Sequence, residues 1–188
     1  MKDRLTDRLS WKEESRKTVF TCQIFNVEER VCRSPYNEVK TFSVLDTSDW
    51  AIVIPVLKTE QGSKFVMVRQ WRHGARELSL EFPGGVFEKG EKAETAAARE
   101  LKEETGYSAG KIHKLGQFNP NPAIMSNRVH FFLATELNSP TDQQLDDDEY
   151  VDIEAHAVEE VLNGMGKPPF IHALMGTAMA LYLKNSQA

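Results

Sequence analysis

The stretch GGVFEKGEKAETAAARELKEETGY, residues 84–107, decides how the chain is read. Its second half is built from Ala, Leu, Glu and Lys, all good helix formers, and Gly106 stands where a left-handed cap ends a helix. A helix over 91–105 follows, opened by Glu91, where the helix dipole favours a carboxylate. Glu100, Glu103 and Glu104 then fall at spacings of three and four and share one face. Like charges so placed destabilise a helix by roughly 0.2–0.5 kcal/mol per pair. Neither Lys102 nor Arg99 is expected to pair with Glu103. The face therefore reads either as solvated surface or as a seat for a divalent cation, which converts the repulsion into shared coordination. Gly84 and Gly85 tip the balance towards the cation, because backbone without a Cβ can approach a ligand or offer it a carbonyl. Arg99 is the natural partner for Glu91 or for a ligating carboxylate.

Outward from this helix the chain alternates between strands and turns. Towards the N-terminus, ELSLEF (77–82) is a short strand running into Pro83. DWAIVIPVL (49–57) is almost continuously apolar, as a strand buried on both faces should be. With TEQGS as its turn and KFVMVRQWR (64–72) returning, residues 50–72 read as a hairpin. KTVFTCQIFNVEERV and EVKTFSVLD also read as strands, and residues 1–15 as a short helix or tail. Beyond Gly106, KIHKLGQF (111–118), RVHFFLATEL (128–137) and YVDIEAHA (150–157) are further strands, and TDQQLDDDE (141–149) is an acidic loop. Two helices close the chain, the second carrying an apolar stripe at Ile171, Leu174, Met175, Ala178, Leu181 and Tyr182. Many strands and few helices predict a mixed α/β (α+β) fold.

Composition bounds the partners. The 188 residues carry a formal charge of −5, so bulk electrostatics favour neither nucleic acid nor an anionic membrane. A phosphate-bearing substrate must then meet local positive charge or a metal. No apolar run reaches the length of a membrane span. The N-terminal stretch MKDRLTDRLSWKEESRK is charged throughout, with no apolar leader core. With Cys22 and Cys32 as its two thiols, a cytoplasmic location is expected.

Residues 85–107 run Gly85, Glu91, Arg99-Glu100-Leu101, Glu103-Glu104 and Gly106-Tyr107 at spacings that resemble the Nudix box, a signature of 23 residues. The resemblance implies an α/β/α sandwich with a mixed sheet, binding Mg²⁺ or Mn²⁺ and hydrolysing a nucleoside diphosphate linked to another group. It carries metal ligation over to Glu100, Glu103 and Glu104 and to the Gly84 carbonyl, and the structural pair over to Glu91 and Arg99. VRQWR (68–72) and LEFPGG (80–85) resemble the ADP-ribose pyrophosphatase branch. There Arg69 and Arg72 correspond to arginines that reach substrate phosphates, and Glu81 to a glutamate at the substrate or metal. The branch also implies a Nudix domain over 49–188, preceded by a strand-rich segment, 1–48, used in a homodimer.

One departure stands out: Asn127 occupies a position where that branch carries a glutamate. A base from a loop must then come from LDDDE (145–149), with Asp147 at the base position and Glu149 as a further metal ligand; Glu103 is the competing base. The implied catalytic set is Glu103, Glu104, Asp147 and Arg99. Core packing is the expected role of Trp50, Trp71 and Phe82, and a structural one that of His130. The implied activity is cleavage of ADP-ribose or a related nucleotide sugar into a nucleoside monophosphate and a sugar phosphate. The alternatives are a nucleoside triphosphate or dinucleoside polyphosphate as substrate, or a module that binds a nucleotide sugar without turnover.

Overall fold

The computed structural model describes residues 4–186. Helix α1 (Arg4–Leu9) is followed by strands β1 (Lys12–Thr21), β2 (Asn26–Arg33), β3 (Val39–Asp46), β4 (Trp50–Thr59), β5 (Gly62–Arg72) and β6 (Glu77–Glu81). Then come helix α2 (Ala93–Thr105), strands β7 (Ala109–Phe118), β8 (Val129–Leu137) and β9 (Val151–Ala157), and helices α3 (Val158–Gly164) and α4 (Ala173–Ser186). Contacts divide the chain into two compact units, Met1–Ser48 with Asn119–Arg128, and Asp49–Phe118 with Val129–Ala188.

The first unit is an antiparallel sheet in the order β1-β2-β3. The stretch from Lys17 to Val31 breaks at Cys22–Phe25, where Cys22 N–H donates to the Phe25 carbonyl (3.0 Å) and the chain turns from β1 into β2. Lys12 already pairs with Arg33, so strand replaces the helix or tail expected up to residue 15. The segment Asn119–Arg128 is tied to the end of β3 by Leu45 N–H to Ile124 O (2.7 Å) and Ser126 N–H to Leu45 O (3.0 Å). Cys22 and Cys32 are free thiols.

In the second unit the apolar run of β4 is explained by its two faces. Ile52, Ile54 and Val56 join one buried cluster with Phe65, Met67, Leu80, Phe131, Leu174, Met175 and Ala178. Ala51 and Val53, pointing the other way, join Ala96, Ala97, Leu101, Phe132 and Ala134. Strand side chains alternate between faces, so α4 covers one face of the sheet and α2 the other, making an α/β/α sandwich. Phe131 and Phe132 of β8 are both fully buried, one on each face; truncating either to alanine would cost about 3–5 kcal/mol. β4 pairs with β8 in parallel, and the remaining pairs of the sheet are antiparallel. Lys64 and Phe65 pair with both β4 and β9, and Val68–Gln70 with both β6 and β9. A residue has only two strand edges, so β4 and β6 follow one another along one edge of β5 while β9 takes the other.

Candidate active site

The approach to α2 is extended and pairs with the start of β4. Val53 N–H donates to Pro83 O, Ala51 N–H to Gly85 O, and Phe87 N–H to Asp49 O, each at 2.9 Å. This ladder uses the carbonyls of residues 83 and 85 and leaves that of Gly84 out. The Gly84 N–H instead donates to Glu104 Oε2 (2.8 Å). Both glycines are dictated by close approach. A Cβ on Gly84 would sit 2.2 Å from the Ala51 carbonyl oxygen, and one on Gly85 would sit 2.5 Å from Glu100 Oε1. Glu100 thus rests against bare backbone.

Helix α2 begins at Ala93, not at Glu91. Glu91 lies ahead of it, where its carboxylate accepts the Glu88 N–H (3.0 Å) and closes the preceding turn. The C-terminal end is as expected: Gly106 has φ 70°, and its N–H returns to the Lys102 carbonyl. Ala96, Ala97 and Leu101 face the core, and Glu100 and Glu104 are carried inward beside them, 9% and 4% exposed. Burial pushes Glu104 up to about 8, with the charges of Glu100 and Glu149 adding to the rise. Burial likewise pushes Glu100 up to about 7, against the pull of Arg99.

Arg99 is the hub. Its Nε and Nη2 hold the two Glu91 oxygens, each at 3.0 Å, and Nη2 also donates to the Val86 carbonyl (3.1 Å). Nη1 holds Glu100 Oε1 and Glu103 Oε2, each at 2.9 Å. The bond to Glu103 overturns the expectation that Arg99 is out of position: residues four apart are neighbours on a helix surface. Its hydrogen bonds hold Glu91 below the usual carboxylate range. Part of the repulsion on the acidic face is therefore cancelled by one guanidinium.

Among the described residues no three His, Cys, Asp or Glu side chains converge as a ready metal cage. The donor chemistry nevertheless suits a hard divalent cation: oxygen ligands, two of them buried carboxylates held above their ordinary range, against a Cβ-free backbone. A cation there would offset the charge that burial disfavours.

The acidic loop is docked on the end of α2. Thr141 N–H donates to Gly106 O and Gln144 N–H to Glu103 O, both at 2.9 Å, and the Gln143 amide donates to Glu104 O. These bonds satisfy carbonyls that a helix end leaves open. Farther along, Asp146 and Glu149 close a turn on each other (3.0 Å). Of the two residues expected from this loop, it is Glu149 whose charge bears on Glu100, Glu104 and Arg72. Asp147 is exposed on the turn.

Both arginines of VRQWR are gripped by glutamates. Arg72 Nε and Nη2 hold Glu81 at 2.8 and 2.6 Å, and His172 Nδ1 meets the same carboxylate at 2.7 Å. Glu81 is 1% exposed, and these bonds hold it well below the usual carboxylate range although burial opposes them. Arg69 holds Glu154 with two nitrogens, and His156 lies between Glu154 Oε2 (2.7 Å) and Glu160 Oε1 (2.9 Å). The Arg69 bond draws Glu154 down to about 2. Glu154, His156 and His172 carried no sequence signal, since each becomes a partner only through strand register or the path into α4.

The remaining expectations divide. Trp50 packs against the core and Phe82 is part of it, but Trp71 is half exposed, which corrects the core role read for it. His130 is buried between Asp49 (3.0 Å) and Lys114 (3.1 Å), with the Phe87 ring 5.1 Å away. Asn127, in the first unit, is 2% exposed, and neither amide atom has a partner among the described residues.

Comparison with known proteins bears on this geometry. Residues 48–174 match the model of the NUDIX domain. The ADP-ribose pyrophosphatase of Bacillus subtilis (strain 168) is 39% identical over 110 residues, spanning 58% of this chain and 60% of its own length. The methanol dehydrogenase activator of Bacillus methanolicus is 33% identical over 78% of this chain and 80% of its own. A crystal structure of an ADP compounds hydrolase superposes with a TM-score of 0.83 at 21% identity, covering 95% of this chain and 96% of that one. That likeness is one of fold. With the domain model, the pyrophosphatase relative and the glycine-carboxylate geometry in agreement, the chain belongs to the family of Nudix hydrolases and resembles its ADP-ribose pyrophosphatase branch.

Proposed function

We propose that this protein is a Mg²⁺-dependent pyrophosphohydrolase, with Mn²⁺ as a substitute, that cleaves ADP-ribose or a related nucleoside diphosphate sugar. The products are a nucleoside monophosphate and a sugar phosphate. One observation carries the reading: Glu100 and Glu104 are buried side by side at Gly84-Gly85, each held above its ordinary range by that burial. Glu100, Glu103, Glu104, Glu149 and the Gly84 carbonyl are the groups assigned to hold the cation. Bound there, such a cation supplies Lewis-acid polarisation of the pyrophosphate and a more acidic water.

The chain's own residues supply the rest. Arg99 and Glu91 hold the carboxylate face in place through three nitrogens. Arg72 and Arg69, each with its Nε and Nη2 on a carboxylate, are the guanidinium groups assigned to the phosphate oxygens through the remaining nitrogen, and Glu81 seats the first of them. Proton abstraction from the attacking water is assigned to Glu103, which is half-buried at the edge of the cluster, or to Asp147 on the docked acidic loop. Half-exposed Val19, Phe20, Val39 and Phe42 on β1–β3, with Trp11 just ahead of β1, support a homodimer built on that sheet. A purely regulatory role is the second reading, favoured by the relative named as an activator, which covers most of the chain.

The deciding assay is phosphate release from ADP-ribose with a coupled phosphatase, in Mg²⁺ and in EDTA, alongside a panel of nucleotide sugars, nucleoside triphosphates and dinucleoside polyphosphates. Metal-dependent turnover strongest on ADP-ribose or a nucleotide sugar supports the proposal. Binding of a nucleotide sugar without turnover of any compound in Mg²⁺ or Mn²⁺ favours the regulatory reading instead.

A further inference from the structure

Three consecutive residues leading into the Gly84 corner are each held by one distant segment. Leu80 N–H donates to Pro169 O (2.9 Å), the Glu81 carboxylate meets His172 Nδ1 (2.7 Å), and Phe82 N–H meets Met175 Sδ (2.9 Å). The partners fall three residues apart as the chain enters α4, whose first turn closes with Met175 N–H on the His172 carbonyl (3.0 Å). The three contacts run in step along both stretches, so the segment lies along residues 80–82 as a brace.

The middle contact carries chemistry that the outer two lack. Glu81 is buried and ionised, so it can only accept, and Nδ1 of His172 is the nitrogen bearing the proton. Glu81 thereby receives three donors, two from Arg72 and one from His172. The Arg72 side chain is 42% exposed while that of Glu81 is 1% exposed, so the glutamate is the fixed end and the guanidinium the presented end. Among the described residues Arg72 Nη1 takes no hydrogen bond, and the charge of Glu104 reaches this guanidinium. A carboxylate gripped only by Arg72 could swing outward with it; one anchored from behind by His172 cannot.

We infer that His172 is a positioning residue of the reaction, acting through Glu81 to hold Arg72 so that Nη1 is presented to a phosphate oxygen of the substrate. This rests on the pyrophosphohydrolase reading for the identity of the substrate, but not for the geometry of the brace.

The test uses the full chain as wild type, His172→Ala, His172→Asn, Arg72→Ala and the His172→Ala/Arg72→Ala double variant. Asparagine keeps a nitrogen donor where Nδ1 stood. An interaction made equally in ground and transition states moves KM, so His172→Ala should raise KM for ADP-ribose about tenfold with kcat within about threefold. His172→Asn should recover most of that. In the Arg72→Ala background the same change should add less than about twofold, because coupled residues are not additive. A substrate-free readout accompanies this: the Arg72 Nε–H resonance in ¹H–¹⁵N spectra should exchange with water on the order of tenfold faster in His172→Ala, as a lost buried partner implies, and stay protected in His172→Asn. An unchanged resonance, an unchanged KM, or an equal KM rise in the Arg72→Ala background would overturn the inference. Wild-type protein that turns over neither ADP-ribose nor any nucleotide sugar of the panel sinks the substrate reading alone, and the Arg72 resonance still decides the role of His172.

Discussion

The buried carboxylates should make the cation-free protein sensitive to alkali, and Glu104→Gln is the perturbation that isolates the cause. Glu104 stands at about 8 when folded, against 4.5 for a freely solvated glutamate. A raised carboxyl means the folded state binds the extra proton. The stability it supports is complete below 4.5 and is lost as pH climbs through about 8. One unit of pKa is about 1.36 kcal/mol, so between pH 6 and pH 8 this group alone removes on the order of 2.5 kcal/mol. For a chain of this size that corresponds to a fall in Tm of roughly 5–10 °C.

Glutamine keeps the shape and an oxygen for the Gly84 N–H, but has no charge to bury. In EDTA, Glu104→Gln should therefore be more stable than wild type at pH 8, with a visibly shallower decline from pH 6. Glu100 keeps a residual slope in the variant, reduced because the neighbouring charge is gone. Saturating Mg²⁺ should lift wild type at pH 8 and leave Glu104→Gln nearly unmoved, while ADP-ribose turnover by the variant drops by several orders of magnitude. Thermal melts by circular dichroism at four pH values, with and without Mg²⁺, read all of this. A wild-type Tm that is flat from pH 6 to pH 8, or a Glu104→Gln protein that melts earlier than wild type at pH 8, would refute the reasoning.

Three further perturbations address neighbouring parts of the site. Arg99→Ala strips four carboxylate contacts from Glu91, Glu100 and Glu103 at once, and chemical denaturation should show a loss of about 3–5 kcal/mol. A Cβ at Gly85 would sit 2.5 Å from Glu100 Oε1, so Gly85→Ala should keep a folded spectrum yet lose on the order of 100-fold in kcat/KM, as a displacement near 1 Å can cause. In the acidic loop, Glu149→Gln should weaken Mg²⁺ binding by titration calorimetry, because its charge acts on Glu100 and Glu104. Asp147→Asn should leave Mg²⁺ binding unchanged and lower turnover only if the loop supplies the base.

How much of this was legible beforehand depended on whether the information was local. The two-faced burial of β4 was written in an unbroken apolar run, and the helix stop at Gly106 in a single residue. The carboxylate seat was readable because a helix converts spacings of three and four into one face, and two glycines before it announce close approach. What escaped was whatever depends on partners distant in the chain. Trp71 reads as core because aromatic side chains usually pack there, yet it lies near the end of β5, past the buried run 65–68. Arg69 and Arg72 looked like free phosphate ligands; only the folded chain shows that Glu154 and Glu81 hold them first. This changes the meaning of those arginines. A guanidinium fixed by a carboxylate has already surrendered its rotamer freedom, so a phosphate that meets the remaining nitrogen recovers more of the contact energy than it would from a mobile side chain. On the proposed function, the glutamates that occupy these arginines would prepare them for the substrate and not compete with it.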